Sequence, residues 1–320
     1  MKTTMKKQRL SLAGVTATAL GILPAIPAMT SVPALAAAAP APRQPNILII
    51  TTDQQSWNML SAYGTTHLAT PAMDRLAKNG CSFRKVYVTN PVCMPSRFSL
   101  YTGHYASEIG VKDNTPNPAD AKNNRRIATE AGMGNLFRKA GYETFYSGKT
   151  HFYSPAGESQ KPPELYGFKS LGFDPYEQPV NNAKKFFATR KPGDKPFLMV
   201  LSFMNPHNIC SQDQPQGGTF EAKLKSNQEG DEPRRQFAIR KKLTPEQIAA
   251  QTPPMLTNTA PINGEQPGWV EMDTHSRGWT KQQWSFYRWL YYRFTESVDD
   301  QIGRALAAFY ASPFVDNTIV

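Results

Sequence analysis

Cys93 stands in the stretch Asn90-Pro91-Val92-Cys93-Met94-Pro95-Ser96-Arg97. A proline two residues after the cysteine favours a helix that starts just beyond it, because proline's fixed φ suits a first helical turn. The cysteine then lies beside free backbone N–H groups and the positive end of the helix dipole, with Arg97 one turn further on. That combination is an anion site containing a nucleophile. A buried structural cysteine is the competing reading, since free cysteines are commonly core residues.

The other residues able to do chemistry follow stretches that read as strands. Asp53 and Gln54 end Asn46-Ile47-Leu48-Ile49-Ile50-Thr51-Thr52, Lys149 and His151 follow Tyr142 to Tyr146, which reads as a strand, and His207 follows Phe197 to Met204. The first and last of these runs are apolar enough to suit strands buried on both faces, as parallel sheets require, and such sheets bind ligands beyond the carboxyl ends of their strands. Singly, each residue has a plain reading: Asp53 as a helix cap, Lys149 and His151 as solvated loop residues, His207 as a core histidine. Their common position after strands favours one site.

Elements that position these residues alternate along the chain. Thr70 is suited to cap a helix with Pro71 at its first position and Gly80 at its end, and Phe83 to Val88 alternates as a strand. Ile127 to Ala140 has helical spacing up to Gly141, a helix surrounds Trp284 to Phe309, and Asn317 to Val320 begins another strand. The fold class is α/β, with a mostly parallel central sheet flanked by helices. Residues 211–280 turn to Gln, Gly, Pro, Lys and Glu and read as a loop-rich excursion, with a short helical stretch near Thr244 to Ala250.

Composition narrows the function. Neither GxGxxG nor GxxxxGK[ST] occurs, which argues against a nucleotide enzyme. Three cysteines without a CxxC pair exclude a disulfide scaffold and a zinc ribbon. Cys81, after Gly80, reads as a core residue at a strand start. Cys210 follows His207 by three residues, and this HxxC has the spacing of half a zinc site, but no second half is visible. No later run approaches the length of a membrane span.

Lys2, Lys6, Lys7 and Arg9, an apolar stretch from Leu10, and Ala34-Leu35-Ala36 read as a secretory signal peptide over residues 1–36, followed by an Ala/Pro linker at 37–45. The product is expected in periplasm or medium. Removing four basic and no acidic residues leaves 32 Lys+Arg against 25 Asp+Glu, so the charge falls from +11 to +7. An exported basic protein is biased toward anionic partners such as acidic polysaccharide, and export disfavours nucleic acid.

Cys93-x-Pro95-Ser96-Arg97, followed by Thr102-Gly103, resembles the signature of the sulfatases. Asn46 to Gln54 looks like that family's metal-binding first strand, Thr70 to Ala77 its first helix, Gly148-Lys149-Thr150-His151 its Lys/His loop, and Pro206-His207 its later histidine. The resemblance runs from Asn46 to Val320 and implies an alkaline-phosphatase/sulfatase-like fold. It implies that a maturation enzyme oxidises Cys93 to formylglycine. A divalent ion, usually calcium, would be held by Asp53, Gln54 and residue 93. The substrate would be a sulfated small molecule or polysaccharide, with Arg97 holding nucleophile and sulfate, Lys149 neutralising sulfate oxygens, His207 protonating the leaving alcohol and His151 serving as base. Gln54 departs from the commoner Asp-Asp pair, and an Asp-Gln form occurs in choline-sulfatase-like and phosphonate-hydrolase-like branches. A phosphonate or phosphate monoester hydrolase is therefore the nearest enzymatic alternative.

Sulfatases complete the metal site with an S-D-H-G-like motif after the strand that Asn317 begins, where this sequence ends, and add a C-terminal subdomain. The expectation is a fragment or a defective copy. As a 320-residue chain it would be inactive and poorly stable, with at most weak anion binding. Asp299-Asp300 lies in a helix whose Val298, Ile302 and Leu306 face the core, and Asp316-Asn317 is turn chemistry, so neither pair replaces the missing ligands.

Overall fold

The computed structural model describes residues 44–115, 121–153, 162–211, 243–254 and 280–320. The expected signal peptide, nearly all of the linker and most of the 211–280 excursion lie outside the described residues.

Five strands, β1 (Asn46–Asp53), β2 (Glu143–Gly148), β3 (Lys169–Ser170), β4 (Phe197–Pro206) and β5 (Thr318–Ile319), form one sheet in the order β3-β2-β4-β1-β5. Every pairing is parallel. The helices are α1 (Pro71–Asn79), α2 (Cys93–Thr102), α3 (Ala121–Ala131), α4 (Met133–Lys139), α5 (Pro162–Leu165), α6 (Glu177–Thr189), α7 (Pro245–Ala250) and α8 (Lys281–Tyr310).

The central strand β4 shows why the sheet needs helices on both sides. Phe197, Met199, Leu201 and Phe203 enter one core with Val180 and Phe187 of α6 and Val298, Ile302, Leu306 and Phe309 of α8. Leu198 and Val200, pointing the other way by the two-residue period of a strand, enter a second core with Met94, Phe98 and Tyr101 of α2 and Ile127 of α3. Each such side chain contributes about 1.5–3 kcal/mol on leaving water. The result is the expected α/β architecture, helices on both faces of a parallel sheet.

Four local expectations are corrected. Phe83 to Val88 is not a strand; Phe83, Val86, Tyr87 and Val88 are all exposed, and no described strand pairs with them. Alternation alone does not supply a ladder partner. Cys81 is exposed rather than core. The helix predicted from Ile127 to Ala140 is two helices, α3 and α4, divided at Gly132, whose backbone packs on Tyr166 too closely for any side chain. Thr70 occupies the N-cap position of α1, but its hydroxyl donates to Asp74 Oδ1 at 2.9 Å instead of capping. The free N–H groups of Ala72 and Met73 go to Asp299 of α8, at 3.0 and 2.8 Å. Asp299 thus serves α1, and Asp316 lies in a 3-10 turn.

Candidate active site

Register gathers the site. Thr51 of β1 and Gly148 of β2 both pair with Ser202 of β4, so the residues that follow emerge at one edge of the sheet. Gly148 has φ 97°, and a Cβ there would collide with the Ser202 carbonyl oxygen. Only glycine lets the chain turn there, and the turn delivers Lys149, whose N–H donates to Ser202 O at 2.9 Å. Helix α2 begins at Cys93 itself, with Val92 as N-cap, one step earlier than the proline suggested. Cys93 is therefore the first helical residue, beside the free N–H groups of its turn.

The centre is Asp53. Its Oδ2 takes the Arg97 guanidinium at 2.8 Å and the Lys149 ammonium at 2.9 Å, and all three side chains are buried. Around it, Cys93 Sγ lies 3.8 Å from Asp53 Oδ1, 3.8 Å from His207 Nε2 and 3.8 Å from Lys149 Nζ. Burial alone would raise the Asp53 carboxyl, but the Lys149 and Arg97 charges overcome it and hold Asp53 below the usual carboxylate range. Burial, then the Lys149 charge, lowers both His151 and His207 from the ordinary imidazole range. One carboxylate faces two cations, so the cluster carries a spare positive charge suited to an anion.

Of the seven residues singled out by sequence, the structure joins Asp53, Cys93, Arg97, Lys149 and His207 by direct contacts. His151, exposed and at φ 42°, stands at the rim close enough to feel their charges. The Gln54 side chain is exposed, and its backbone sits at φ 60°, a conformation that costs a non-glycine residue of order 1–3 kcal/mol. Tyr291 of α8 holds that loop: its hydroxyl donates to Gln54 O at 2.6 Å and accepts from Ser56 N–H at 2.8 Å.

Sequence reasoning missed the groups that fix Arg97. Its Nη1 donates to the Tyr146 hydroxyl, the Lys149 carbonyl and Ser202 Oγ, each at 3.0 Å, while Tyr146 donates to the same carbonyl at 2.6 Å. Ser202, a hydroxyl within the apolar run of β4, was the available signal. A hydroxyl there needs a partner.

Asp53, Cys93 and His207 offer ligand atoms within 4.8 Å of one another, a group able to hold a metal ion. For a hard divalent ion the donors fit in kind: Asp53 and Gln54 are oxygen donors, and residue 93 becomes one on oxidation. Three donors are about half of the six to eight that calcium takes.

The sulfatase family profile matches residues 45–320. The Δ4,5-hexuronate-2-O-sulfatase of Bacteroides thetaiotaomicron is 28 % identical over 309 residues, covering 89 % of this chain and 56 % of that protein. The solved structure of a 2-O GAG sulfatase aligns with a TM-score of 0.56 at 22 % identity, covering 86 % of this chain and 56 % of the other. The phosphonate monoester hydrolase of Agrobacterium radiobacter aligns with a TM-score of 0.53 at 21 % identity, covering 86 % and 61 %. At such identities the structural likenesses speak for the fold, and the chain spans little more than half the length of these proteins. With the profile matching nearly all of the described fold, this chain belongs to the sulfatase family.

Proposed function

We propose that this chain carries the nucleophile half of a carbohydrate sulfatase, an exported enzyme that hydrolyses sulfate esters. The observation that carries the proposal is Cys93 at the first position of α2, 3.8 Å from Lys149, with Arg97 and Lys149 both buried on Asp53. A sulfate ester is an anion, and the spare positive charge of this cluster lies next to the atom that would react with it. The 2-O-sulfatase similarity supports a sulfated sugar as substrate.

In the proposed roles, Lys149 binds a sulfate oxygen and Arg97 locks Asp53, Tyr146 and Ser202 into one rigid support. His207, in contact with Cys93, would deliver a proton to the departing alcohol oxygen, and His151 would remove one from residue 93 afterwards. Oxidised to formylglycine by a maturation enzyme, residue 93 supplies a hydrated aldehyde, whose second hydroxyl allows sulfate to be expelled; a thiol or a serine lacks it. A divalent ion, calcium in this reading, would be held by Asp53, Gln54 and residue 93 and would supply Lewis acidity toward the sulfate oxygens.

The test is turnover by the gene product co-produced with a formylglycine-generating enzyme, on aryl and carbohydrate sulfates beside phosphonate monoesters. Sulfates are expected to be preferred, and Cys93→Ala and Cys93→Ser to be equally inactive. A clear preference for phosphonates would move the protein to the hydrolase branch whose fold it shares.

A further inference from the structure

The histidine of the HxxC motif, His207, contacts a second thiol besides Cys210. Cys210 is exposed, and its Sγ lies 3.6 Å from His207 Nδ1 and 3.9 Å from Nε2. Cys93 Sγ lies 3.8 Å from the same Nε2, and Asp53 Oδ1 lies 3.8 Å from Cys93 Sγ. His207 is thus flanked by two thiols that are 117 residues apart in sequence.

We propose that the chain in which Cys93 is still a thiol binds a zinc-class divalent ion through Cys93 Sγ, His207 Nε2 and Asp53 Oδ1, with Cys210 as fourth ligand. This concerns the chain before residue 93 is oxidised, so it stands apart from the hydrolase reading. A tetrahedral zinc with bonds of about 2.3 Å to sulfur and 2.0 Å to nitrogen separates those two ligand atoms by roughly 3.5 Å. Cys93 Sγ and His207 Nε2, 3.8 Å apart, need to close by only about 0.3 Å to reach that separation. Cys210, exposed on the 3-10 turn His207–Ser211, is the ligand that must swing inward, giving up its contact with the His207 carbonyl.

Donor chemistry separates this site from the calcium reading. Two sulfurs, one imidazole nitrogen and one carboxylate oxygen suit zinc, whereas calcium takes oxygen. Asp53 divides its two oxygens accordingly: Oδ1 faces Cys93, while Oδ2 stays on Arg97 and Lys149, which orient the ligand from behind. Binding displaces the thiol protons, and the two thiolates and the carboxylate balance the ion and one of the two positive charges of Arg97 and Lys149.

The test uses the full chain made without a maturation enzyme, with mass spectrometry confirming an unmodified Cys93, and cobalt(II) as spectroscopic probe before displacement by zinc. One equivalent should bind with tetrahedral d–d bands and a sulfur-to-cobalt charge-transfer band. Cys93→Ser should lose about half of that band and weaken binding about 100-fold, and Cys210→Ser should lose the remainder with roughly tenfold weaker binding. Cys81→Ser should change neither. Circular dichroism establishes that each variant is folded, and His207→Gln, which should also weaken binding, gives a second route should Cys93→Ser fail to fold. A wild-type chain without the thiolate band would overturn the proposal, as would a full band in Cys93→Ser or no effect of Cys210→Ser. Calcium produces no such band, and turnover by the matured protein is a separate measurement, so this proposal and the hydrolase reading fail independently.

Discussion

Asp53 and Asp299 are both buried aspartates, and their surroundings pull them in opposite directions. Asp53 sits between two full positive charges and is held below the usual carboxylate range. Asp299 has two backbone N–H groups of α1 as partners; burial outweighs them, and with Asp74 and Asp300 nearby its carboxyl is raised. A carboxylate in a charged cluster at a sheet edge is poised for chemistry. A carboxylate on a helix terminus between α1 and α8 holds two elements together. The difference lies in the partners, since both side chains are shielded from water.

Removal of each carboxylate tests that contrast. Asp53→Ala leaves Arg97 and Lys149 buried without a counter-ion and is expected to lose about 3–5 kcal/mol in denaturant unfolding. Asp299→Ala leaves two partly buried N–H groups without this partner, an expected loss of about 1–2 kcal/mol. Equal losses would mean that the charged cluster is hydrated and the comparison is wrong.

The pH dependence sharpens it, because the two signs differ. A raised folded-state value means that Asp299 favours the folded chain while protonated and costs stability as pH rises from the ordinary carboxyl range through the raised value. The lowered Asp53 contributes stability above the ordinary carboxyl range, lost as pH falls through its lowered value. Asp299→Asn should therefore flatten the loss of stability on the higher-pH side of the carboxyl range, read as thermal midpoint against pH. An unchanged profile would show that α1 does not shield this carboxyl.

Smaller effects are expected where the partners are neutral or exposed. Tyr291→Phe deletes the hydroxyl between Gln54 O and Ser56 N–H and should lose about 1 kcal/mol, with faster hydrogen exchange at the Ser56 amide. Arg304 pairs with Glu177 and Asp300 at 2.7 and 2.8 Å, yet at a partly exposed surface. Arg304→Ala should change stability by at most about 1 kcal/mol, an effect that salt reduces. A loss as large as that of Asp53→Ala would show that distance, rather than burial, governs these pairs.

The sequence alone determined the sheet and its chemical edge. Asn46 to Thr52, Tyr142 to Tyr146 and Phe197 to Met204 became adjacent parallel strands, and the apolar first and last of them suit burial on both faces. Asp53, Lys149 and His207 follow those strands and had to share an edge once the strands were parallel. The Cys93 motif announced its helix within one residue. Contacts between distant segments were decided only by tertiary structure. Asp299 caps a helix 227 residues away, and Tyr291 sets the Gln54 loop from the far end of the chain. His207 meets both Cys93 and Cys210, and Phe83 to Val88 finds no described strand despite its alternation. Periodicity is a local property that says which face is apolar. Which groups meet across that face depends on register and helix packing, which are settled when the whole core closes.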